Sequence, residues 1–108
     1  MNNGLNKVML IGTIDGGIEL RRTNGGRPVA SFTVATTHTL FADDGGRYDT
    51  TEWFNIISWG SLAEQCDRQL HTGDKLYVEG RLHTRSWEDD NNVTHFRTEV
   101  VAQELVIM

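Results

Sequence analysis

TEWFNIISWGSLAEQC, residues 51–66, joins a strand-like segment directly to a helix-like segment. Side chains alternate between the two faces of a strand, so Trp53 and Trp59 share one face while Phe54 and Ile56 point to the other. Only one of these faces is needed for a hydrophobic core. The second face therefore serves a ligand or a partner subunit, unless the strand is buried on both sides.

The second half of this stretch predicts a short helix over about residues 62–71. Ser61 is expected to cap its first turn, with Glu64 reaching back to complete a capping box. Gly73 is well placed to end the helix. Apolar residues recur at every fourth position and give the helix one apolar stripe, formed by Leu62, Cys66 and Leu70.

Upstream of the tryptophans, alternating apolar residues predict two strands. The first covers residues 7–11 and is apolar on both faces, so Met9 and Ile11 are left outside a single core. Paired glycines predict that residues 14–27 form a connection rather than a regular element. The second strand is predicted over residues 29–37.

Polar and glycine residues at 41–51 predict a loop that joins the second strand to the third as a projecting hairpin. The fourth strand is predicted over residues 75–87 and the fifth over residues 94–107, with a turn at 89–92 between them. Alternation assigns one row of the fourth strand to the core, namely Leu76, Val78, Gly80 and Leu82.

Three strands, a helix and a two-stranded hairpin, in that order, are typical of the oligonucleotide-binding (OB) barrel. We therefore predict an all-β fold, a five-stranded Greek-key OB barrel with one short helix between strands 3 and 4. The chain has 108 residues, which is enough for one independently folding domain. The domain is predicted over residues 1–108, with a core from about 5 to 107.

The composition of the chain indicates the cellular compartment in which the protein acts. No apolar run approaches the roughly 20 residues that span a bilayer, and the N-terminal segment lacks the features of a cleaved leader. The single cysteine, Cys66, excludes an internal disulfide framework and agrees with a reducing compartment. The sequence predicts a cytoplasmic protein without a membrane segment.

The outward row of the fourth strand places Arg81, Arg85 and Trp87 together. Arginine pairs with phosphate and stacks its flat guanidinium on bases, and an indole offers a face that any base can cover. Trp53 and Trp59 on the third strand extend this surface. The two strands predict a platform for stacking bases, although any one indole has the alternative of packing under a hairpin loop or in a subunit contact.

Six segments carry a family resemblance: NKVMLIG (6–12), IELRRTNGG (18–26), VASFTVAT (29–36), TEWFNIISWGSLAE (51–64), LYVEGRLHTRSWED (76–89) and TEVVAQELVIM (98–108). Through them the sequence resembles the bacterial single-stranded DNA-binding protein family over nearly its whole length. The resemblance implies an OB barrel, usually a homotetramer, that binds single-stranded DNA without sequence preference during replication, recombination and repair. It also implies a location at the nucleoid.

Carried over residue by residue, the resemblance assigns the stacking aromatics to Trp53, Trp59 and Trp87. It assigns basic positions along the DNA path to Arg21 and Arg85.

The chain departs from the family pattern at several positions. Leu40 stands where the family has a further tryptophan, and Phe41 beside it would substitute in part if the loop turns. Ten basic against fifteen acidic residues give a formal net charge of −5. Binding is therefore expected to depend on stacking, with a shallow dependence on salt. Family basic positions are occupied here by Ser61, Thr72, His83 and Ser86.

Self-association is implied by the resemblance, and the doubly apolar first strand supports it, since a single core leaves one of its faces unused. A homotetramer is expected, and a dimer is left open. The contact between subunits is assigned to Lys7, Met9, Ile11 and Tyr77.

Family members usually continue beyond the barrel into a flexible tail with an acidic tip that recruits replication and repair proteins. This sequence stops at Met108, either because the protein lacks such a tail or because the sequence is trimmed. Recruitment of those partners is therefore left open.

The residues give no support for catalysis. The four histidines lack metal-ligand spacing, the acidic pairs Asp43-Asp44 and Asp89-Asp90 lie in turns, and no glycine loop with its lysine is present to cradle phosphates. We predict a non-enzyme that needs no metal or cofactor. The alternative is an OB-fold interaction module or a primosomal-type accessory protein with weak DNA binding. The acidic charge favours that alternative, and exposed tryptophans would oppose it.

Overall fold

The computed structural model describes residues 4–108, which form a closed five-stranded barrel with one helix. Around the barrel the strand order is β1-β2-β3-β5-β4, with β3 and β5 parallel and the other neighbours antiparallel. The predicted barrel with its helix between β3 and β4 is confirmed. Residues 1–3 of the predicted domain lie outside the described residues. The elements are β1 (Val8–Arg22), β2 (Pro28–Phe41), β3 (Arg47–Trp59), α1 (Ser61–Gln69), β4 (Lys75–Glu88) and β5 (Thr94–Ile107).

The core fills the barrel with alternate residues of every strand. Helix α1 adds Ala63 and Cys66, and Leu70 directly after the helix joins them, so the predicted apolar stripe packs inward. Leu62 is only partly buried. Burial raises the pKa of the Cys66 thiol, which keeps it protonated and unreactive. The largest fully buried side chains of the strands are Ile14, Val34, Ile56, Leu76, Val78 and Val100.

The predicted connection at residues 14–27 is wrong over most of its length, because β1 continues to Arg22. The pairing of β1 with β2 shifts register between Asp15 and Glu19, where Gly16 adopts a φ of 82°. The first glycine pair thus forms a β-bulge that bends the strand instead of ending it. Only the second glycine pair lies in the turn that joins β1 to β2.

The predicted loop at residues 41–51 is shorter than expected, because β2 runs to Phe41 and β3 begins at Arg47. Polar cross-strand pairs hold this extension together. The hydroxyl groups of Thr37 and Thr51 lie 3.1 Å apart. Since these pairs are exposed on both faces, the segment lacks the apolar alternation by which strands are recognised in a sequence.

The helix is confirmed, but its predicted capping box at Ser61 is wrong. Gly60 occupies the N-cap position with a φ of 67° and makes no side-chain cap hydrogen bond. Glu64 instead forms an ion pair with Arg22 of β1, at 3.3 Å. The helix ends at Gln69, and Gly73 lies in the following turn, where its amide donates to Ile14 O at 2.8 Å. No helix within residues 4–108 is long and apolar enough to cross a membrane.

The prediction that Leu82 belongs to the core is also wrong, since its side chain is 45% exposed. The pairing of β1 with β4 extends no further along β4 than Gly80, which pairs with Val8. Beyond that point β4 pairs only with β5, and the two strands leave the barrel as a hairpin. The inward row of β4 is therefore no longer flanked by β1 at Leu82. The other predicted core residues of this row, Leu76, Val78 and Gly80, are buried.

Candidate nucleic-acid interface

The outward face of β3 carries the residues that the sequence singled out. Ile56 and Ser58 are buried, so the alternate residues of the strand face away from the core. Ser58 belongs to the inward row because it packs beside Cys66, at 3.4 Å between Oγ and Sγ. The outward row consists of Trp53, Asn55, Ile57 and Trp59.

Trp59 lies in a groove to which all five strands contribute. Two adjoining concavities share Ile57, Trp59, Arg85 and Glu99, and together they are called the Trp59 groove. Of the predicted site residues, the structure thus brings Trp59 and three arginines into one place. The first concavity adds Arg21, Val29 and Ser31, and the second adds Arg27, Arg81, His83, Val101, Ala102 and Gln103.

Arg27 is a groove residue that sequence reasoning missed. Its guanidinium carbon lies 4.6 Å from the ring centroid of Trp59, in cation–π geometry. Arg27 precedes β2, and Val29 near the start of that strand pairs with Trp59. The register between β2 and β3 therefore brings Arg27 to the indole, and this register is not visible in the sequence.

Glu99 is a second residue that was missed. Glu99 is 6% exposed. Its carboxylate forms two ion pairs, one with Arg85 Nε at 3.3 Å and one with Arg97 Nε at 3.8 Å. Arg85 and Arg97 stand directly opposite each other on β4 and β5, where like charges repel. The carboxylate of Glu99 offsets that repulsion beneath the groove.

Trp87 lies further out on the hairpin of β4 and β5, with 43% of its surface exposed. The ring of His95 stacks beside it, with centroids 5.5 Å apart and planes inclined by 22°. The guanidinium carbon of Arg85 lies 5.0 Å from the Trp87 ring centroid. Arg85 therefore connects Trp87 to the Trp59 groove.

The turn after β4 holds His95 in place through Asp89. His95 Nε2 and Asp89 Oδ2 are 2.7 Å apart. This hydrogen bond, followed by one from the Val93 amide, lowers the pKa of the Asp89 carboxyl. The predicted turn at residues 89–92 is confirmed, and its first aspartate orders the hairpin tip.

Trp53 lies outside the Trp59 groove but on the same face of β3. It is 60% exposed, and its indole Nε1 donates to Asp15 Oδ2 at 2.9 Å. A shallow concavity lined by Asn55, Ile57 and Arg97 occupies the face between the two tryptophans. The face is thus continuous from Trp53 to the groove.

Phe41 belongs to the same face as Trp53. Uninterrupted pairing of β2 with β3 sets Phe41 opposite Arg47 and Ala35 opposite Trp53, and both pairs project from one side of the two strands. Leu40 pairs with Tyr48 and projects from the other side. No turn of the loop is needed for Phe41, which is 76% exposed, to reach this face.

Positive charge on this face is concentrated beside Trp59. Arg21 pairs with Glu19 at 2.8 Å, and Arg85 pairs with Glu99. Within residues 4–108, no ion pair engages Arg27 or Arg81. Two cations without an acidic partner therefore line the same concavity as the indole, although the chain as a whole is acidic.

The predicted subunit-contact residues also come together, on a different face. Met9 pairs with Glu79 and Ile11 pairs with Tyr77, so these side chains share the outer side of β1 and β4. Lys7 Nζ lies 3.6 Å from Glu79, and the Tyr77 hydroxyl donates to the same carboxylate at 2.8 Å, which raises the pKa of Tyr77. This outer side is called the β1-β4 face.

Other features of the described chain do not suit nucleic acid or metal. A concavity between α1 and the end of β5 is lined by residues that include Leu62, Cys66 and Ile107, but by no cation and no aromatic ring. No group of three or more His, Cys, Asp or Glu side chains within residues 4–108 is arranged to hold a metal ion.

Comparisons with known proteins match this geometry. The model of the Single-strand binding protein family matches residues 5–108. The chain is 40% identical over 109 residues to Single-stranded DNA-binding protein 1 of Chlorobaculum tepidum, covering 100% of this chain and 67% of that protein. It is 38% identical over 105 residues to the Single-stranded DNA-binding protein of Rhizobium meliloti, covering 95% of this chain and 60% of that protein. The chain thus spans about two thirds or less of the length of these relatives.

Solved structures show the same similarity. The Plasmodium falciparum SSB in complex with ssDNA superposes with a TM-score of 0.89 at 30% identity, covering 100% of this chain and 99% of that one. A deletion mutant of the single-stranded DNA binding protein from Thermus aquaticus gives a TM-score of 0.85 at 28% identity, covering 97% of this chain and 51% of that one.

Proposed function

Because the chain belongs to the single-strand binding protein family, we propose that it binds single-stranded DNA without sequence preference along the face of Trp53, Trp59 and Trp87. The observation that carries the proposal is the exposure of indoles on one continuous face, 60% for Trp53 and 43% for Trp87. A base stacked on an aromatic side chain is typically worth about 1–3 kcal/mol by alanine substitution. Stacking needs no particular base, which accounts for binding without sequence preference.

The proposed path runs from Phe41 and Trp53 along β3 to the Trp59 groove and on to Trp87. Arg27 and Arg81 supply the cations for phosphates near Trp59, with Arg21 and Arg85 beside them. Their attraction survives the net charge of −5, because charges further apart than about 8–10 Å are largely screened at physiological salt.

The β1-β4 face is proposed as the contact between copies of the chain. Met9 is 64% exposed and Ile11 51% exposed, side by side with Tyr77. Burying these side chains against a second copy removes apolar surface from water. We propose a homotetramer, and a dimer through the same face remains the alternative.

The proposed cellular role is protection of single-stranded DNA during replication, recombination and repair in the cytoplasm, at the nucleoid. This role is binding alone and requires no catalytic step, metal or cofactor.

The test is a titration of the protein with oligothymidine and, separately, with duplex DNA of the same length, following intrinsic tryptophan fluorescence at low and high salt. We expect strong quenching by the single strand alone, and most of it should persist at high salt because stacking is less sensitive to salt than phosphate contacts are.

Absence of quenching at both salt concentrations would contradict the proposal. It would favour the alternative of an OB-fold interaction module or a weakly DNA-binding accessory protein, which the acidic net charge would suit.

A further inference from the structure

We propose that Glu99 is a positioning residue for DNA binding, which holds Arg85 and Arg97 so that their terminal nitrogens face the phosphate path. The inference rests on the proposed function. Glu99 carries a negative charge at the base of the Trp59 groove, where a simple electrostatic view would expect it to repel DNA. Because Glu99 is buried and paired with two arginines, we expect it to strengthen DNA binding instead.

Glu99 is the one buried charged residue in the described part of the chain. A carboxylate taken out of water is costly unless cations and hydrogen bonds compensate for the lost solvation. Two arginines from neighbouring strands provide that compensation, at 3.3 Å and 3.8 Å. Glu99 therefore has a fixed position, and the arginines are held to it.

Both ion pairs use the Nε atom of the arginine. A guanidinium group has five N–H donors, of which only one belongs to Nε. The four donors on the terminal nitrogens are therefore left for other acceptors, and two of them suit a phosphate in a bidentate interaction. Pairing with Glu99 orients each arginine without occupying its phosphate-binding edge.

The two arginines serve adjoining parts of the proposed path. Arg85 lines the Trp59 groove and approaches the ring of Trp87, whereas Arg97 lines the concavity between Trp53 and the groove. Without Glu99, the two guanidinium groups face each other directly across β4 and β5. Repulsion would then drive them apart and away from the path.

The test variant is Glu99→Gln, which keeps the size of the side chain and removes its charge. Affinity for oligothymidine, measured by fluorescence anisotropy, is expected to fall by about five-fold even though the net charge becomes less negative. The slope of log K against log salt is expected to become shallower by roughly 0.7 for each phosphate that the arginines no longer neutralise. The matched control is Asp67→Asn, which makes the same charge change at an exposed position on α1 and should leave affinity within two-fold.

A second variant keeps the test decisive where Glu99→Gln unfolds. Arg85→Lys combined with Arg97→Lys retains both positive charges and Glu99, but a lysine has one nitrogen and cannot bind the carboxylate and a phosphate through separate groups. The same loss of affinity is expected. Where Glu99→Gln does fold, adding it to this double variant should cause no further loss.

Equal or tighter binding by a folded Glu99→Gln protein would overturn the inference. Undiminished binding by the double lysine variant would overturn it as well, and so would a full additive loss in a folded triple variant. Failure of the wild-type chain to bind oligothymidine is a different result, since it would overturn the proposed function itself.

Discussion

At the scale of single residues, each tryptophan of the proposed path is held by a polar partner. Arg27 covers Trp59, His95 stacks beside Trp87, and Asp15 accepts a hydrogen bond from Trp53. An exposed indole that is already oriented loses less conformational freedom when a base stacks on it. These contacts thus fix the orientation of the aromatic rings before DNA binds.

The hydrogen bond between Asp15 and Trp53 allows this orientation of the indole to be tested. Replacing Asp15 with Ala removes the acceptor for Trp53 Nε1, and we expect affinity for oligothymidine to fall by about two- to five-fold. An immobilised side chain at an interface typically accounts for about 0.5–1.5 kcal/mol, and the expected change corresponds to the lower part of that span. Fluorescence anisotropy measures the change.

Phenylalanine has no N–H to donate, so the control repeats Asp15→Ala in a Trp53→Phe background. There the substitution at position 15 should have no effect on affinity. An equal loss in both backgrounds would show that Asp15 does not act through Trp53.

The residues that the sequence identified and those it missed differ in one physical respect. Trp53, Trp59 and Arg85 can be recognised by their residue type and by the alternation along β3 and β4. Arg27 and Glu99 act only because the pairing of strands brings them to the groove. That pairing is a tertiary property, and a single sequence does not contain it in readable form.

At the scale of elements, two strand extensions were missed for different physical reasons. The extended part of the β2-β3 hairpin is exposed on both faces, so no alternation of apolar and polar residues marks it in the sequence. The glycine pair at Gly16 was interpreted as a break because a bulge and a turn use the same residues. Similarly, Ser61 was chosen as the helix cap, although the sharp exit from β3 requires the positive φ of Gly60.

The hairpin of β4 and β5 has a pH dependence that follows from Asp89. Hydrogen bonds from His95 and Val93 lower the pKa of Asp89 below its ordinary value of 3.8 in the folded chain. A lowered pKa means that the ionised carboxylate stabilises the hairpin tip above the ordinary pKa. That stabilisation is lost as the pH falls through the lowered pKa.

NMR titration of the Val93 amide, which donates to Asp89 Oδ1 at 3.0 Å, follows this carboxylate. We expect its chemical shift to change with a midpoint below pH 3.8, and the change should disappear in Asp89→Asn. A midpoint at or above that value would contradict the account of the hairpin tip.

At the scale of the whole molecule, the barrel presents two unlike surfaces. One carries tryptophans and arginines along β3 and the β4-β5 hairpin, and the other is the β1-β4 face with its exposed Met9 and Ile11. If the β1-β4 face joins copies of the chain, several DNA paths are linked in one assembly. A long strand can then engage more than one path, and affinity rises well beyond that of a single barrel.

Met9→Glu tests whether the β1-β4 face joins copies of the chain, because it places a charge in the apolar part of that face, beside Glu79. We expect a smaller assembly by light scattering, and a loss of affinity at least ten-fold greater for a long oligothymidine than for one that fits a single barrel. Gln65→Glu, at an exposed position on α1, is the control for added charge. Unchanged mass, or equal loss on both lengths, would count against the proposed contact.

The face of Trp53, Trp59 and Trp87 is proposed as the path of single-stranded DNA. The most direct measurement uses three variants that each retain one of these tryptophans and carry phenylalanine at the other two positions, titrated with oligothymidine while tryptophan fluorescence and binding anisotropy are recorded together. The account predicts that every remaining indole is quenched as the strand binds. Binding that leaves all three indoles unquenched would place the DNA on another surface and contradict the claim.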